Sequence, residues 1–412
     1  MNNCLITCPD KPLTGEIQLP ASKSISNRVL MLNALAYSPY NVENLADCDD
    51  TNVMLQALSS NDRNFNIGAA GTAMRFLTAF LAKIVGEWTI TGTERMQNRP
   101  IRLLVDALNS LGARIEYIDK EGYPPLRIFG SSLHGGEISL AGNVSSQYIS
   151  ALLMVAPLME NGLTLHLEGT IISKPYIRLT IALMKQYGVE VLWHDNVIRI
   201  LPQSYIPIRF SVESDWSAAS YWYEMMALAK EGSRILLKGL SKNSLQGDAV
   251  CAKLFQQLGV STNFTAEGAV LKKSKLQVSK LRHDFVSEPD LAQTFAVTCL
   301  ALNCPFRFSG LQSLRIKETD RIAALQTEAV KLGFVLNVVG DKVIEWYGER
   351  CDSAANPVID TYEDHRMAMA FAPLSFVCKG GLSIANPQVV SKSYPTYWET
   401  LCQQGFGVVF SD

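Results

Sequence analysis

One phrase of apolar and polar positions recurs along the chain: an amphipathic helix spacing, then a glycine, then a short run rich in Val and Ile. Its copies are Leu103-Val105-Leu108-Leu111-Gly112-Ala113, Leu179-Leu183-Tyr187-Gly188-Val189, Val250-Leu254-Leu258-Gly259-Val260, Ile322-Leu325-Leu332-Gly333-Phe334 and Trp398-Leu401-Gly405-Phe406. The glycines at 112, 188, 259, 333 and 405 lie 76, 71, 74 and 72 residues apart. Each stands where a helix ends in a left-handed cap, the conformation glycine adopts without a Cβ clash. A weaker sixth copy runs through Val53-Leu55-Leu58, with Asn61 as its cap.

A second series of helices interleaves with the first, each opening on a polar cluster before turning apolar. The openings are Ser22-Lys23-Ser24-Ile25-Ser26-Asn27-Arg28, Ala70-Gly71-Thr72-Ala73-Met74-Arg75, Ser145-Ser146-Gln147, Ser214-Asp215-Trp216-Ser217, Glu288-Pro289-Asp290 and Glu363-Asp364-His365-Arg366. Strand-like runs such as Val191-Leu192-Trp193, Val197-Ile198-Arg199-Ile200 and Ile235-Leu236-Leu237 lie between helices. Six polar helix starts predict six related units in an α/β fold, with no low-complexity linker to mark a border.

The chain has 412 residues, 48% hydrophobic and 18% charged. That length predicts two domains or one large one, and that composition excludes disorder as the main state. With 37 basic and 39 acidic residues, no global charge draws the protein to nucleic acid or anionic lipid. The apolar runs Tyr148 to Met159 and Met367 to Val377 fall short of the ~18 residues of a membrane span, and the N-terminus shows no signal pattern. A cytoplasmic location follows as the expectation. The nine cysteines include no CxxC pair. Cys4/Cys8 and Cys299/Cys304 lack further partners at zinc-ligand spacing, so reduced thiols and no metal are expected.

Helix starts present unpaired N–H groups and a positive dipole end, which attract anions. Ser, Thr and Asp there are also ordinary caps. What capping leaves unexplained is the cations: Lys23, Arg28, Arg75, Arg95, Arg99, Arg315, Lys317, Arg321, Arg366 and Lys392 fall in or beside these motifs, against the dipole. A local rule broken at matching places points to a site for a polyanion carrying phosphate and carboxylate. Taken alone, Arg315 to Arg321 also reads as a solvated helix face, and His365 as a structural histidine. There is no GxxxxGK[ST] loop, no strand-linked GxGxxG, no HExxH and no GxSxG elbow.

In order, LPASKSISNR, AAGTAMR, RMQNRPI, SSQYISALLM, SKPYI, SDWSAASY, EPDLAQT, RIKETDR, EDHRMAMA and KSYPTYW resemble the enolpyruvyl transferases, in the branch that acts on shikimate 3-phosphate. The resemblance runs from Leu19 to about Leu401. It implies two domains, each of three βαβαββ units with pseudo-threefold symmetry, and an active site in the cleft between them. Carried over, one domain is discontinuous, 1–21 plus 213–412, and the other is continuous, 22–212.

The implied reaction moves the enolpyruvyl group of phosphoenolpyruvate to the 5-hydroxyl of shikimate 3-phosphate, releasing phosphate, on the route to chorismate and the aromatic amino acids. No cofactor or metal is implied. By motif position Lys23, Gly71, Arg99, Arg321, Arg366 and Lys392 hold phosphoenolpyruvate. Ser24, Arg28, Ser145, Ser146, Gln147, Ser173, Tyr176, Asp290 and Lys317 hold shikimate 3-phosphate. Asp290 is the expected base, Lys23 and Glu318 the expected proton donors, and His365 an assistant. Ala69 and Ser313 depart from the family pattern, each replacing an Asn at the site's edge.

The resemblance implies a monomer, and closure of two cationic half-sites on the bound anions is the physical expectation. Two other readings stay in view. One is the sister activity toward UDP-N-acetylglucosamine, against which no cysteine falls near Arg95 to Arg99. The other is a non-catalytic anion binder, against which Lys23, Asp290, Glu318 and Arg366 are all retained.

Overall fold

The computed structural model describes residues 3–411. The chain divides into two compact units: one takes the chain up to Pro20 together with everything from Glu213 onward, and the other spans Ala21–Val212. Each has its own apolar core.

In the discontinuous unit the described residues form three four-stranded sheets. In one, Thr14–Gln18 pairs parallel with Arg234–Lys238, which continues antiparallel through Gly268–Lys273 to Val260–Phe264. In the next, Leu281–Asp284 lies parallel to Phe306–Ser309, followed by Val343–Trp346 and Asn337–Val339. In the third, Val358–Ile359 lies parallel to Leu382–Ala385, followed by Asn3–Thr7 and Gly407–Ser411.

The continuous unit has two such sheets. Asn64–Asn66 is parallel to Gly86–Thr91, and Gly136–Ala141 to Leu163–Glu168, each continued by an antiparallel pair. Where a third sheet was expected, the described residues form one isolated parallel bridge, Glu43 to Ser211. The weak sixth sequence copy is thus a real helix, Asp49–Ser59, on a degenerate unit. Its expected cap at Asn61 is corrected: the helix ends at Ser60 in extended backbone.

The five parallel pairs explain the polar helix starts. Strands that pair in parallel need a crossover, and the crossover helix begins where the first strand ends. Along the chain the six core helices are α1 (Lys23–Leu35), α2 (Gly71–Lys83), α3 (Ser146–Val155), α4 (Trp216–Leu228), α5 (Ala292–Ala301) and α6 (His365–Phe371). Helices α2 to α6 are the crossovers of the five pairs. Those from α3 onward are buried on nearly every side, so their sequences are apolar all round after a polar opening. The glycines at 112, 188, 259, 333 and 405 all adopt positive φ, between 82° and 101°, as the repeat predicted.

Candidate active site

In the continuous unit, four helix starts carry most of the predicted residues. Ser22 caps α1, its hydroxyl accepting from the Ile25 amide, and Lys23 is the first helical residue. The Lys23 ammonium lies 3.5 Å from the carboxylate of Asp50, a buried residue on the Asp49–Ser59 helix that the motifs did not single out. Arg28, one turn further on, points inward: Nε donates to Thr180 Oγ1 at 2.7 Å, Nη1 to the Ser24 carbonyl at 2.9 Å and Nη2 to Ser150 Oγ at 3.3 Å. Burial pushes its guanidinium down to about 10, still charged at neutral pH. It is 2% exposed, so the structure makes it a tie between α1, α3 and the Lys174–Gln186 helix.

At the start of α2, Gly71 makes room for two guanidiniums. A Cβ there would sit 2.7 Å from Arg99 Nη1 and 2.8 Å from Arg75 Nη1. Arg75 also donates to the Gly71 carbonyl at 2.8 Å. Ser145 caps α3 by accepting from the Gln147 amide, and Gln147 Nε2 donates to Thr72 Oγ1 at 3.2 Å, joining the starts of α2 and α3. Tyr148 donates to the Pro100 carbonyl and so fixes the segment that carries Arg99. Ser146 and Tyr176 are half-buried, and Ser173 precedes its helix in the left-handed region with φ of 53°. Ala69 is exposed two residues before Gly71.

In the discontinuous unit, three of the predicted cations converge on one carboxylate. Asp290 lies just before α5, in a short 3-10 turn. Its Oδ1 accepts from Arg321 Nη1 at 3.0 Å and lies 3.4 Å from Lys317 Nζ, while its Oδ2 accepts from Arg366 Nη2 at 3.0 Å. Burial works against its charge, but Arg366, Lys317 and Arg321 together hold its carboxyl well below the usual carboxylate range. In this arrangement Asp290 is a strong hydrogen-bond acceptor and a weak base.

Arg321 opens the Arg321–Lys331 helix and is 1% exposed. Besides Asp290 it donates to Glu318 Oε2 at 2.9 Å and, through Nε, to Asp364 Oδ2 at 2.7 Å. Glu318 in turn accepts from Lys392 Nζ at 3.3 Å. Asp364 caps α6 by accepting from the Arg366 amide at 2.9 Å. His365 is buried, its Nδ1 3.7 Å from Asp364 Oδ1. Ser313 is half-buried in the short helix before Lys317.

The site is therefore less cationic than its motifs suggest. Lys317, Arg321, Arg366 and Lys392 interleave with Asp290, Glu318 and Asp364, so this half carries a single excess positive charge. The motifs showed the cations because these sit together at helix starts. Asp50 and Asp364 match them from elsewhere in the fold or from the cap itself.

Asp248, like Asp50, is a carboxylate that sequence reasoning missed. It is 4% exposed, accepts from Ser217 Oγ at the start of α4, and Ser217 Oγ in turn lies 3.5 Å from Arg366 Nη2. Burial first, then the neighbouring Asp290 charge, pushes its carboxyl up to about 7. Only the clause NSLQGDAV, polar residues between two apolar runs, hinted at it.

The sign of the resulting pH effect follows from linkage. Between about pH 4 and 7 the folded chain holds this proton and the unfolded chain does not, so the contribution falls as pH rises, by on the order of 4 kcal/mol in total. Asp248→Asn is expected to remove that fall. Its melting temperature relative to the parent should rise from pH 5 to pH 8, and melting curves whose difference stays constant with pH would refute it.

Comparison with known proteins adds the decisive observation. The family model described as EPSP synthase (3-phosphoshikimate 1-carboxyvinyltransferase) matches residues 8–60 and 56–401. The chain belongs to the EPSP synthase family. A 3-phosphoshikimate 1-carboxyvinyltransferase of Bacteroides fragilis (strain YCH46) is 56% identical over 405 residues, covering 98% of each chain. One of Vibrio cholerae serotype O1 (strain M66-2) is 37% identical over 424 residues, covering 96% of this chain and 98% of the relative.

An EPSP synthase structure from Acinetobacter baumannii superposes with a TM-score of 0.80 over the full length of both chains, at 21% identity. That likeness establishes the two-domain enolpyruvyl transferase fold. Among the described residues no group of three or more His, Cys, Asp or Glu is placed to hold a metal ion, and no helix is long and apolar enough to cross a membrane.

Proposed function

We propose that the chain transfers the enolpyruvyl group of phosphoenolpyruvate to the 5-hydroxyl of shikimate 3-phosphate, releasing inorganic phosphate, and that the two clusters supply the groups for it. The observation that carries this reading is Asp290, a carboxylate gripped by Arg321, Arg366 and Lys317 within 3.4 Å at the mouth of α5. Cations so placed suit phosphate and carboxylate oxygens, and the carboxylate suits a sugar-like hydroxyl.

In this reading Lys23, Gly71, Arg99, Arg321, Arg366 and Lys392 take phosphoenolpyruvate. Ser24, Arg28, Ser145, Ser146, Gln147, Ser173, Tyr176 and Lys317 take shikimate 3-phosphate, Arg28 also tying α1 to α3. When the substrate anions draw Arg366 and Lys317 off Asp290, its proton affinity rises, and it accepts the 5-hydroxyl hydrogen bond and proton. Lys23 or Glu318 protonates the C3 methylene as the hydroxyl oxygen adds to C2. Loss of a proton from the new methyl group and departure of phosphate then restore the vinyl group. The steps are proton transfers, formation of one C–O bond at C2 and departure of phosphate, assisted by the chain's own cations and acids in a cytoplasmic monomer.

The test is isotopic. In D2O the product should carry deuterium in its vinyl group, because C3 passes through a methyl stage. A product formed without solvent deuterium would exclude addition followed by elimination. Acceptance of UDP-N-acetylglucosamine instead would favour the sister activity.

Gly71→Ala gives a second expectation. The added Cβ meets Arg99 and Arg75 at 2.7 and 2.8 Å, and both are flexible side-chain ends that must shift. The KM for phosphoenolpyruvate should rise about tenfold, the scale of one weakened charged hydrogen bond, while the KM for shikimate 3-phosphate holds. Unchanged kinetics would show that Arg99 takes no part.

A further inference from the structure

The turn that delivers Asp364 and Arg366 is strained. Tyr362 and Glu363 both lie in the left-handed region, with φ of 53° and 55°. Among the described residues no other two adjacent non-glycine residues do so. Backbone of this kind persists only where its surroundings hold it.

The surroundings that hold it lie on one helix. Glu328, on the Arg321–Lys331 helix, is fully buried. Its Oε1 accepts from the Tyr362 hydroxyl at 2.7 Å and its Oε2 from the Asp360 amide at 3.0 Å. Lys331 closes the group, 2.8 Å from Glu328 Oε2 and 2.9 Å from Asp360 Oδ2. The same helix begins with Arg321, whose Nε reaches Asp364 at 2.7 Å. Arg321 and Glu328 are two turns apart and so share a face. The segment from Asp360 to Asp364 is thus fastened at both ends to one rigid element, with the left-handed pair between the fastenings.

We propose that Tyr362 and Glu328 are positioning residues for the reaction: they hold the left-handed pair so that Asp364 caps α6 and Arg366 is aimed at Asp290. Neither touches the reacting atoms. The inference rests on the reading of Arg366 as a phosphoenolpyruvate ligand. Without the clamp, the turn relaxes toward ordinary backbone and Arg366 loses its fixed approach. The strain makes the clamp necessary, and Glu363, which is exposed, is a position where a glycine relieves it.

Full-length Tyr362→Phe keeps the ring and removes the hydroxyl that donates to Glu328. The KM for phosphoenolpyruvate should rise about tenfold, with the KM for shikimate 3-phosphate unchanged. Adding Glu363→Gly should recover most of that loss, because glycine adopts the left-handed region without a clamp. Glu328→Gln, which keeps an acceptor for Tyr362, should fall between Tyr362→Phe and the parent. A merely structural role would lower active protein without changing either KM, and the glycine would not rescue it. A phosphoenolpyruvate KM within twofold of the parent in Tyr362→Phe, or no recovery with Glu363→Gly, overturns the inference. Arg366→Lys separates the two levels. If it raises the phosphoenolpyruvate KM while Tyr362→Phe is silent, only the clamp fails, and if it is itself silent, the ligand reading fails with it.

Discussion

Asp290→Asn is expected to lower turnover about a thousandfold in a chain that stays folded. The change is nearly isosteric, so packing at the start of α5 is kept. What is lost is one negative charge that Arg321, Arg366 and Lys317 share at 3.0, 3.0 and 3.4 Å. An amide offers one acceptor oxygen, and its NH2 group faces a cation. The acceptor for the substrate hydroxyl and its proton is lost as well, a contribution typically worth 10²–10⁴ in rate. Steady-state phosphate release, with circular dichroism to confirm the fold, measures it. Turnover within tenfold of the parent would remove Asp290 from the chemistry and leave it a structural counterion.

Arg321→Met should be the most destabilising single change at the site. It leaves Asp290, Glu318 and Asp364 without the cation they share, and Asp364 is fully buried. Removing one partner of a buried charge network costs about 3–5 kcal/mol, because the remaining charges stay desolvated. A loss of that size lowers the melting temperature by roughly 10 °C for domains of this size.

The pH dependence gives the sign. In the parent, Asp290 holds its proton only well below the usual range, so its contribution is present at neutral pH and lost in acid. In Arg321→Met, Asp290 loses one of the cations that hold its proton affinity down and takes up a proton more readily, so the deficit should shrink on going from pH 8 to pH 5.5. Melting curves at the two pH values test both statements. A deficit that grows in acid would contradict the account.

Much of the fold was legible in the chain because its signals are local. The five glycines cap helices in the left-handed region, and the six polar openings start the six core helices, since caps and apolar periodicity are decided within a few residues. The sixth unit was misjudged at Asn61, where the helix ends one residue earlier in extended backbone and no sheet follows. Its copy of the phrase was weak for that reason.

The site was legible as a set of cations and opaque as a network. Lys317, Asp290 and Arg366 stand in separate motifs that the fold brings together, but nothing in spacing shows that the two cations share the one carboxylate. Arg28 stands with Lys23 and Ser24 in one motif, but nothing in that motif shows that its guanidinium also ties Thr180 and Ser150, more than a hundred residues away. Asp50 and Asp248 act across the fold on Lys23 and Ser217, and their own motifs are weak. Contacts of that range are set by topology, which one sequence states only through resemblance.

The central claim is the acceptor and the bond made to it. Phosphate release by the purified chain, given phosphoenolpyruvate with shikimate 3-phosphate or with UDP-N-acetylglucosamine, tests it most directly. The account predicts release with the shikimate ester alone. Release with the nucleotide sugar, or none with either acceptor although shikimate 3-phosphate binds by calorimetry, would contradict it.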